Sequence, residues 1–279
     1  MKKTVDKKKL TLAIAGGILA VLLIAFWILL IVIQVNKVSV NGYESNKPTR
    51  FIAHRGYSEI YHENTVQSFT AAGEEDFFDA IETDVWMTKD GVFVCSHDVN
   101  PFEDGKKKIT DCAYDEIKNL PLSNSKIKYD IDKAQTYTIP TLQEYLDICL
   151  ASQKLSFVEI KQNLNKEQTE KLVDEVYEVL YRTRVYFCSF NRKVIEYVID
   201  YKPLAKVELF ASVALVAFAE VEMGYNVGFD TRLLKSDGFV KLAHKKNCFA
   251  NAWTVETKKE ADRLIGYGID WITCNGVLR

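Results

Sequence analysis

Eight short hydrophobic, β-branched runs alternate with amphipathic helical patterns between residues 50 and 275, and this alternation restricts the fold more than any other feature of the chain. The runs fall at 50–55, 80–87, 156–161, 185–190, 206–211, 226–230, 249–255 and 270–275. Strands separated by helices pair in parallel, because only a long crossover can return the chain to the same end of a sheet. Eight such repeats predict an α/β fold, a closed (β/α)8 barrel with reactive groups at the C-terminal ends of its strands. A further run at 92–97 follows 80–87 across Asp90-Gly91. That connection is too short for a crossover and signals a hairpin, so 92–97 is its returning arm.

The runs carry groups that a core would not choose. His54-Arg55-Gly56, Glu63-Asn64-Thr65, Glu82-x-Asp84, Lys89-Asp90-Gly91 leading to His97-Asp98, and Glu159-Ile160-Lys161 lie within or at the ends of strand-like segments. Ionised groups are costly to bury unless they pair or coordinate. Residues i and i+2 of a strand share a face, so Glu82 and Asp84 point together, as do Glu159 and Lys161. With Asp90-Gly91 as a two-residue turn, Asp84 lies opposite His97. Three carboxylates without a cysteine or histidine cluster form a hard, oxygen-rich site suited to Mg2+ or Ca2+ rather than zinc. Asn64-x-x-Gln67, Thr141-x-x-Glu144, Asn165-x-x-Gln168 and Thr257-x-x-Glu260 read as capping boxes that start helices. Asn64 is therefore either the first helix's cap or a support of the site, and Glu63 either a cap-region acid or such a support.

These segments resemble the glycerophosphodiester phosphodiesterase family. The resemblance is carried by FIAHRGYSEIYHENTVQSF (51–69), IETDVWMTKDGVFVCSHD (81–98), IPTLQEYL (139–146), FVEIK (157–161) and NAWTV (251–255). It implies a TIM barrel that splits glycerol-phosphate diesters with one divalent cation and two histidines. By the same resemblance Glu82, Asp84 and Glu159 are the metal ligands, and His54 and His97 the acid–base pair. Arg55 and Lys161 become the phosphate clamp, and Trp253 an apolar wall for the glycerol moiety, with Phe190 a weaker candidate of the same kind. The implied nucleophile is the glycerol 2-hydroxyl, giving a cyclic phosphate that water opens. The substrate is a glycerophosphodiester or, as the alternative, a lysophospholipid cleaved in the manner of a phospholipase D. A catalytically silent, membrane-anchored binding domain is the competing reading from outside enzymology.

Ahead of the barrel, Leu10 to Ile33 contains 24 residues without a charge, long enough to cross a bilayer core of about 30 Å. Five lysines precede it and Lys37 alone follows closely, so the positive-inside rule keeps residues 1–9 cytoplasmic and places the large domain outside. A cleaved signal peptide is the rival, but no small-x-small site follows Ile33. Ala13, Gly16, Gly17 and Ala20 make a small-residue pattern of the kind that supports a weak helix–helix dimer through the anchor. Residues 34–49 read as a polar stalk and 50–279 as the catalytic barrel. The first 49 residues hold seven lysines against two acids; with the whole chain at −2, residues 50–279 carry −7. That balance gives no support to nucleic-acid binding, which usually shows a basic face. Six cysteines without C-x-x-C spacing give no metal site; an even number in an extracytoplasmic domain allows disulfides, while their placement mostly in strands equally suits buried free thiols, and the sequence leaves both open. Residues 99–138 interrupt the pattern between the hairpin and the next helix. The resemblance sets that insertion beside the barrel mouth; within it, Tyr114–Leu120 reads as a short helix.

Overall fold

The computed structural model describes residues 16–24, 26, 47–123 and 135–278. Most of the expected anchor and stalk, the cytoplasmic segment 1–9 and part of the 99–138 insertion lie outside the described residues. No helix among the described residues is long and apolar enough to cross a membrane. Residues 16–24 are helical, and Ile18, Leu19, Val21, Leu22, Leu23 and Ile24 on them are exposed.

The barrel is built as the alternation predicts. Its parallel strands are β1 (Arg50–Ala53), β2 (Ala80–Met87), β4 (Leu155–Ile160), β5 (Val185–Ser189), β6 (Lys206–Ala211), β7 (Asn226–Asp230), β8 (Ala250–Val255) and β9 (Trp271–Cys274). Pairing of β1 with both β9 and β2 closes the cylinder, and β3 (Phe93–Cys95) adds antiparallel to β2. Among the described residues, seven helices occupy the crossovers: α1 (Val66–Glu74), α2 (Leu142–Ala151), α3 (Lys166–Val179), α4 (Arg192–Tyr201), α5 (Ala214–Met223), α6 (Gly238–Lys245) and α7 (Lys258–Gly266). On α3, Leu172, Val173 and Val176 form the buried stripe, and Leu180 packs inward just past the helix end. The main core lies between barrel and helices. A second, interior cluster of Ile52, Ala80, Phe157, Tyr186, Phe249 and Trp271 fills the barrel, with Phe157 and Tyr186 stacked at 4.4 Å. This packed interior gives the polar groups above it a floor.

Helix starts follow the sequence with two exceptions. Thr141 and Asn165 make reciprocal capping boxes with Glu144 and Gln168. Thr257 caps α7 by accepting from the Glu260 amide, but the Glu260 side chain turns to Arg263. The first helix is capped by Thr65 with Ser68, so the Asn64-x-x-Gln67 reading is corrected by one residue.

The hairpin register is also corrected. Val85 pairs with Cys95, Trp86 with Val94 and Met87 with Phe93, which aligns Asp84 with Ser96 rather than His97. The turn is a three-residue loop, Lys89-Asp90-Gly91, closed by the Thr88 amide donating to Val92 O at 2.8 Å. Gly91 at φ +87° supplies the left-handed residue such a loop needs. The Thr88 hydroxyl donates to Asp90 Oδ1 at 2.6 Å, which favours the extra loop residue.

The described part of the insertion packs Phe102, Ile109, Ile117, Leu122 and Tyr137 against Val94 of the hairpin. The helix expected at Tyr114–Leu120 is a 3-10 turn over Tyr114–Glu116. His62 is buried and ties the insertion to the first barrel loop, its Nδ1 2.9 Å from Glu63 O and its Nε2 2.8 Å from Ser123 O. All six cysteines are free thiols.

Candidate active site

Strand register assembles the acids. Asp84 on β2 is the Cα partner of Glu159 on β4, and Glu82 lies two residues below Asp84 on the same face. One oxygen from each of the three buried carboxylates falls within 4.8 Å of the others, the grouping expected of a metal site. β2 pairs with β1 at its lower end and β3 at its upper end, leaving Glu82–Asp84 without a strand on that edge. Asn64 fills the gap. Its Oδ1 accepts from Asp84 N and Thr83 Oγ1, and its Nδ2 donates to Asp84 Oδ2 at 2.8 Å. Asn64 thus holds Asp84 and Thr83 of β2 instead of capping a helix.

The chain leaves β1 through two left-handed residues, Arg55 at φ +58° and Gly56 at φ +77°. A Cβ on Gly56 would meet the Ser68 carbonyl carbon at 2.6 Å, so the close approach of α1 requires glycine here. This turn lets Arg55 N–H donate to Glu82 Oε2 at 2.9 Å and swings the guanidinium across the acids. Arg55 Nη1 reaches Glu63 at 2.9 Å and its Nε reaches Asp84 at 3.2 Å, while Lys161 Nζ lies 3.1 Å from Glu159 and 3.4 Å from Asp84. Glu63 accordingly positions the arginine.

The charges are unevenly compensated. Burial would push Asp84 up, but Arg55 and Lys161 outweigh it and hold this carboxyl well below the usual carboxylate range. Glu82 is raised by burial and by its Asp84 and Glu159 neighbours, and Glu159 is pushed up to about 8 by burial and Asp84, against Lys161. Asp84 Oδ1 is buried without a hydrogen bond. An all-oxygen set with excess negative charge and an unbonded carboxylate oxygen fits a hard divalent cation.

Above the acids a cavity of about 160 Å³ is lined by His54, Arg55, Glu82, His97, Glu159 and Lys161 on its polar side. Phe157, Phe190, Phe210 and Trp253 line its apolar side. The Phe190, Phe210 and Trp253 rings contact one another at 5.3–5.7 Å. His54 Nδ1 lies 2.7 Å from Asn275 Oδ1, and burial together with Arg55 holds the imidazole down to about 3, hence neutral. His97 reaches the cavity from the irregular segment after β3, where its Nδ1 meets Asp98 Oδ1 at 2.9 Å. Every sequence-predicted site residue is at this cavity or in direct contact with its lining. His244 pairs with Asp270, remote from it.

Sequence reasoning missed two residues. Asn275 became visible only once β9 was seen to flank β1. Glu208 was legible as the one acid in the strand-like run Lys206-Val207-Glu208-Leu209-Phe210. It is buried, accepts from Asn251 Nδ2 at 2.9 Å and is pushed up to about 8 by desolvation. The folded protein retains this proton where the unfolded chain has released it, so the contribution to stability is full below the ordinary glutamate range and is lost as pH rises toward 8. Glu208→Gln is therefore expected to match the parent protein's melting temperature at pH 4.5 and exceed it at pH 8, by about 2–4 °C for each kcal/mol recovered. Scanning fluorimetry at the two pH values checks this, and equal melting temperatures at both would contradict it.

With the geometry in place, comparison with known proteins gives a consistent result. The sequence model of the glycerophosphoryl diester phosphodiesterase family matches residues 54–278. A glycerophosphodiester phosphodiesterase of Caldanaerobacter subterraneus subsp. tengcongensis is 32% identical over 232 residues, covering 80% of this chain and 93% of that protein. One from Bacillus altitudinis is 26% identical over 239 residues, with 80% and 93% covered. Among solved structures, a glycerophosphodiester phosphodiesterase from Parabacteroides distasonis superposes with a TM-score of 0.67 at 28% identity, over 81% of this chain and 92% of that one. The chain belongs to the glycerophosphoryl diester phosphodiesterase family, a family of phosphoric diester hydrolases.

Proposed function

We propose that the protein hydrolyses glycerophosphodiesters to glycerol phosphate and an alcohol, using a divalent cation, Mg2+ or Ca2+, together with His54 and His97. The observation that carries this reading is a cavity lined by two histidines, an arginine, a lysine and two acids, Glu82 and Glu159, which Asp84 completes as a trio. Glu82, Asp84 and Glu159 would hold the cation, which when bound neutralises phosphate charge and polarises a phosphoryl oxygen. Arg55 offers a planar fork to phosphate oxygens and Lys161 a point charge, so the diester is fixed between them. His54, held neutral, accepts the proton of the attacking glycerol 2-hydroxyl as the new P–O bond forms. His97 donates a proton to the departing alkoxide as the old P–O bond breaks. Water then opens the cyclic phosphate with the proton transfers reversed. Trp253 and the phenylalanines beside it exclude water from the carbon side of the glycerol unit.

A second reading, cleavage of lysophospholipids, is favoured by one feature. Phe190 at the cavity mouth is exposed, as are Val213, Leu215 and Val216 in the segment that follows β6 at the same end of the barrel. With glycerol phosphate in a cavity of about 160 Å³, an acyl chain would lie on that rim. We further propose that residues 10–33 tether the barrel outside the cytoplasmic membrane with the N-terminus inside, which would hold the domain close to lipid.

The test is a substrate screen with the full chain and with a variant lacking residues 1–46. Both should release glycerol phosphate from glycerophosphocholine at similar rates. Turnover of lysophosphatidylcholine in vesicles should fall upon truncation, because tethering raises local concentration. Absence of turnover on every glycerol-phosphate diester would reject the function. Equal turnover of vesicle substrate by the two proteins would reject the tether.

A further inference from the structure

We propose that Asn275 is a positioning residue: its amide oxygen holds His54 in the tautomer protonated at Nδ1, so that Nε2 is the nitrogen free to take a proton. What Nε2 then does rests on the phosphodiesterase reading above; the tautomer does not.

Closure of the barrel creates the contact. β1 and β9 run in parallel with Ala53 opposite Cys274, and the residues that immediately follow the two strands are His54 and Asn275. His54 N donates to Cys274 O at 2.9 Å and Glu59 N donates to Asn275 O at 2.8 Å, so the backbone on both sides is fixed. The side chains meet at 2.7 Å between Nδ1 and Oδ1. Ser58 Oγ sits 2.7 Å from His54 O and 3.3 Å from Asn275 Oδ1, bracketing the pair. An amide oxygen only accepts, so the ring must donate from Nδ1. A neutral imidazole carries one N–H, and Nε2 is left as the acceptor.

The choice of an amide is itself informative. His97 meets a carboxylate, Asp98, at the equivalent nitrogen. A carboxylate partner stabilises the imidazolium as well as orienting the ring, whereas an amide orients it and adds no charge beside three buried acids. His54 is therefore fixed in orientation yet remains uncharged before substrate arrives.

The experiment uses the full-length protein labelled with 15N-histidine; four histidines make the spectrum assignable. Long-range 1H–15N correlation should show His54 with a protonated Nδ1 and a bare Nε2. Asn275→Leu keeps side-chain bulk without an acceptor, and Asn275→Asp restores one. Asn275→Leu should redistribute the His54 tautomers and lower kcat by at least about tenfold, with KM and melting temperature little changed. Asn275→Asp should restore the Nδ1–H but, because a carboxylate also stabilises the imidazolium, recover the lost kcat only as pH is raised. A parent protein with its His54 proton on Nε2 would overturn the proposal, and that spectrum is decisive even if the leucine variant fails to fold. An Asn275→Leu protein that retains the Nδ1–H tautomer and normal kcat would overturn it equally. Because the spectrum requires no substrate, inactivity of the parent protein on every diester would reject the phosphodiesterase reading separately.

Discussion

Glu159→Gln is expected to abolish turnover while raising the melting temperature of the cation-free protein. The two effects share one cause. Three buried carboxylates repel one another, and burial beside Asp84 pushes Glu159 up to about 8. Glutamine preserves its shape and removes the repulsion, so the empty fold gains stability. The same change removes a hard anionic ligand, and the rate should fall at least about a hundredfold, the scale of losing one electrostatic contact to the transition state. A cation at a hundred times its Kd adds about 2.7 kcal/mol to the parent fold, which for a domain of this size is about 5–10 °C. That upshift should shrink sharply in the variant. Asp84→Asn should behave oppositely in the empty protein, because it removes the buried counterion that Arg55 and Lys161 share. Melting curves with and without Mg2+ or Ca2+, alongside initial rates, separate the cases. A Glu159→Gln protein with normal turnover and an undiminished cation upshift would remove Glu159 from the ligand set.

His54→Ala and His97→Ala should each lower kcat on a glycerophosphodiester by at least about a hundredfold, the ordinary contribution of a general acid or base. The double variant should lose little more than either single one, since groups acting on one proton-transfer sequence are not additive. Both side chains line the cavity and neither belongs to the hydrophobic clusters, so the fold should survive. Steady-state kinetics with circular dichroism on the three variants test this. A single variant with near-normal kcat would show that its histidine is structural.

Strand number, strand order and most of the site could be read from the sequence, because both depend on short-range periodicity. Glu82 with Asp84, and Glu159 with Lys161, needed only the alternation of a strand. The third acid needed the adjacency of β2 and β4, which barrel topology implies. What failed depended on single-residue geometry. Asp90-Gly91 suggested a two-residue turn, but the Thr88 hydroxyl drew one more residue into the loop and moved the register by one. His97 reached the cavity nonetheless, through the irregular segment after β3. Asn64 and Thr65 are both good caps, and the choice was made by an unpaired stretch of β2 that only the fold exposes. Asn275 stood 221 residues from His54 with no local pattern to flag it. Glu208 was visible as a charge in an apolar strand, although its partner Asn251 was not.

The most direct test of the cation site at this cavity is activity after chelation. Full-length protein stripped with EDTA and exchanged into cation-free buffer should lose its turnover of glycerophosphocholine. Mg2+ or Ca2+ added back should restore it to the parent protein and fail to restore it to Glu159→Gln. Turnover that persists undiminished in the stripped protein would contradict the account, because Glu82, Asp84 and Glu159 would then need another reason to converge.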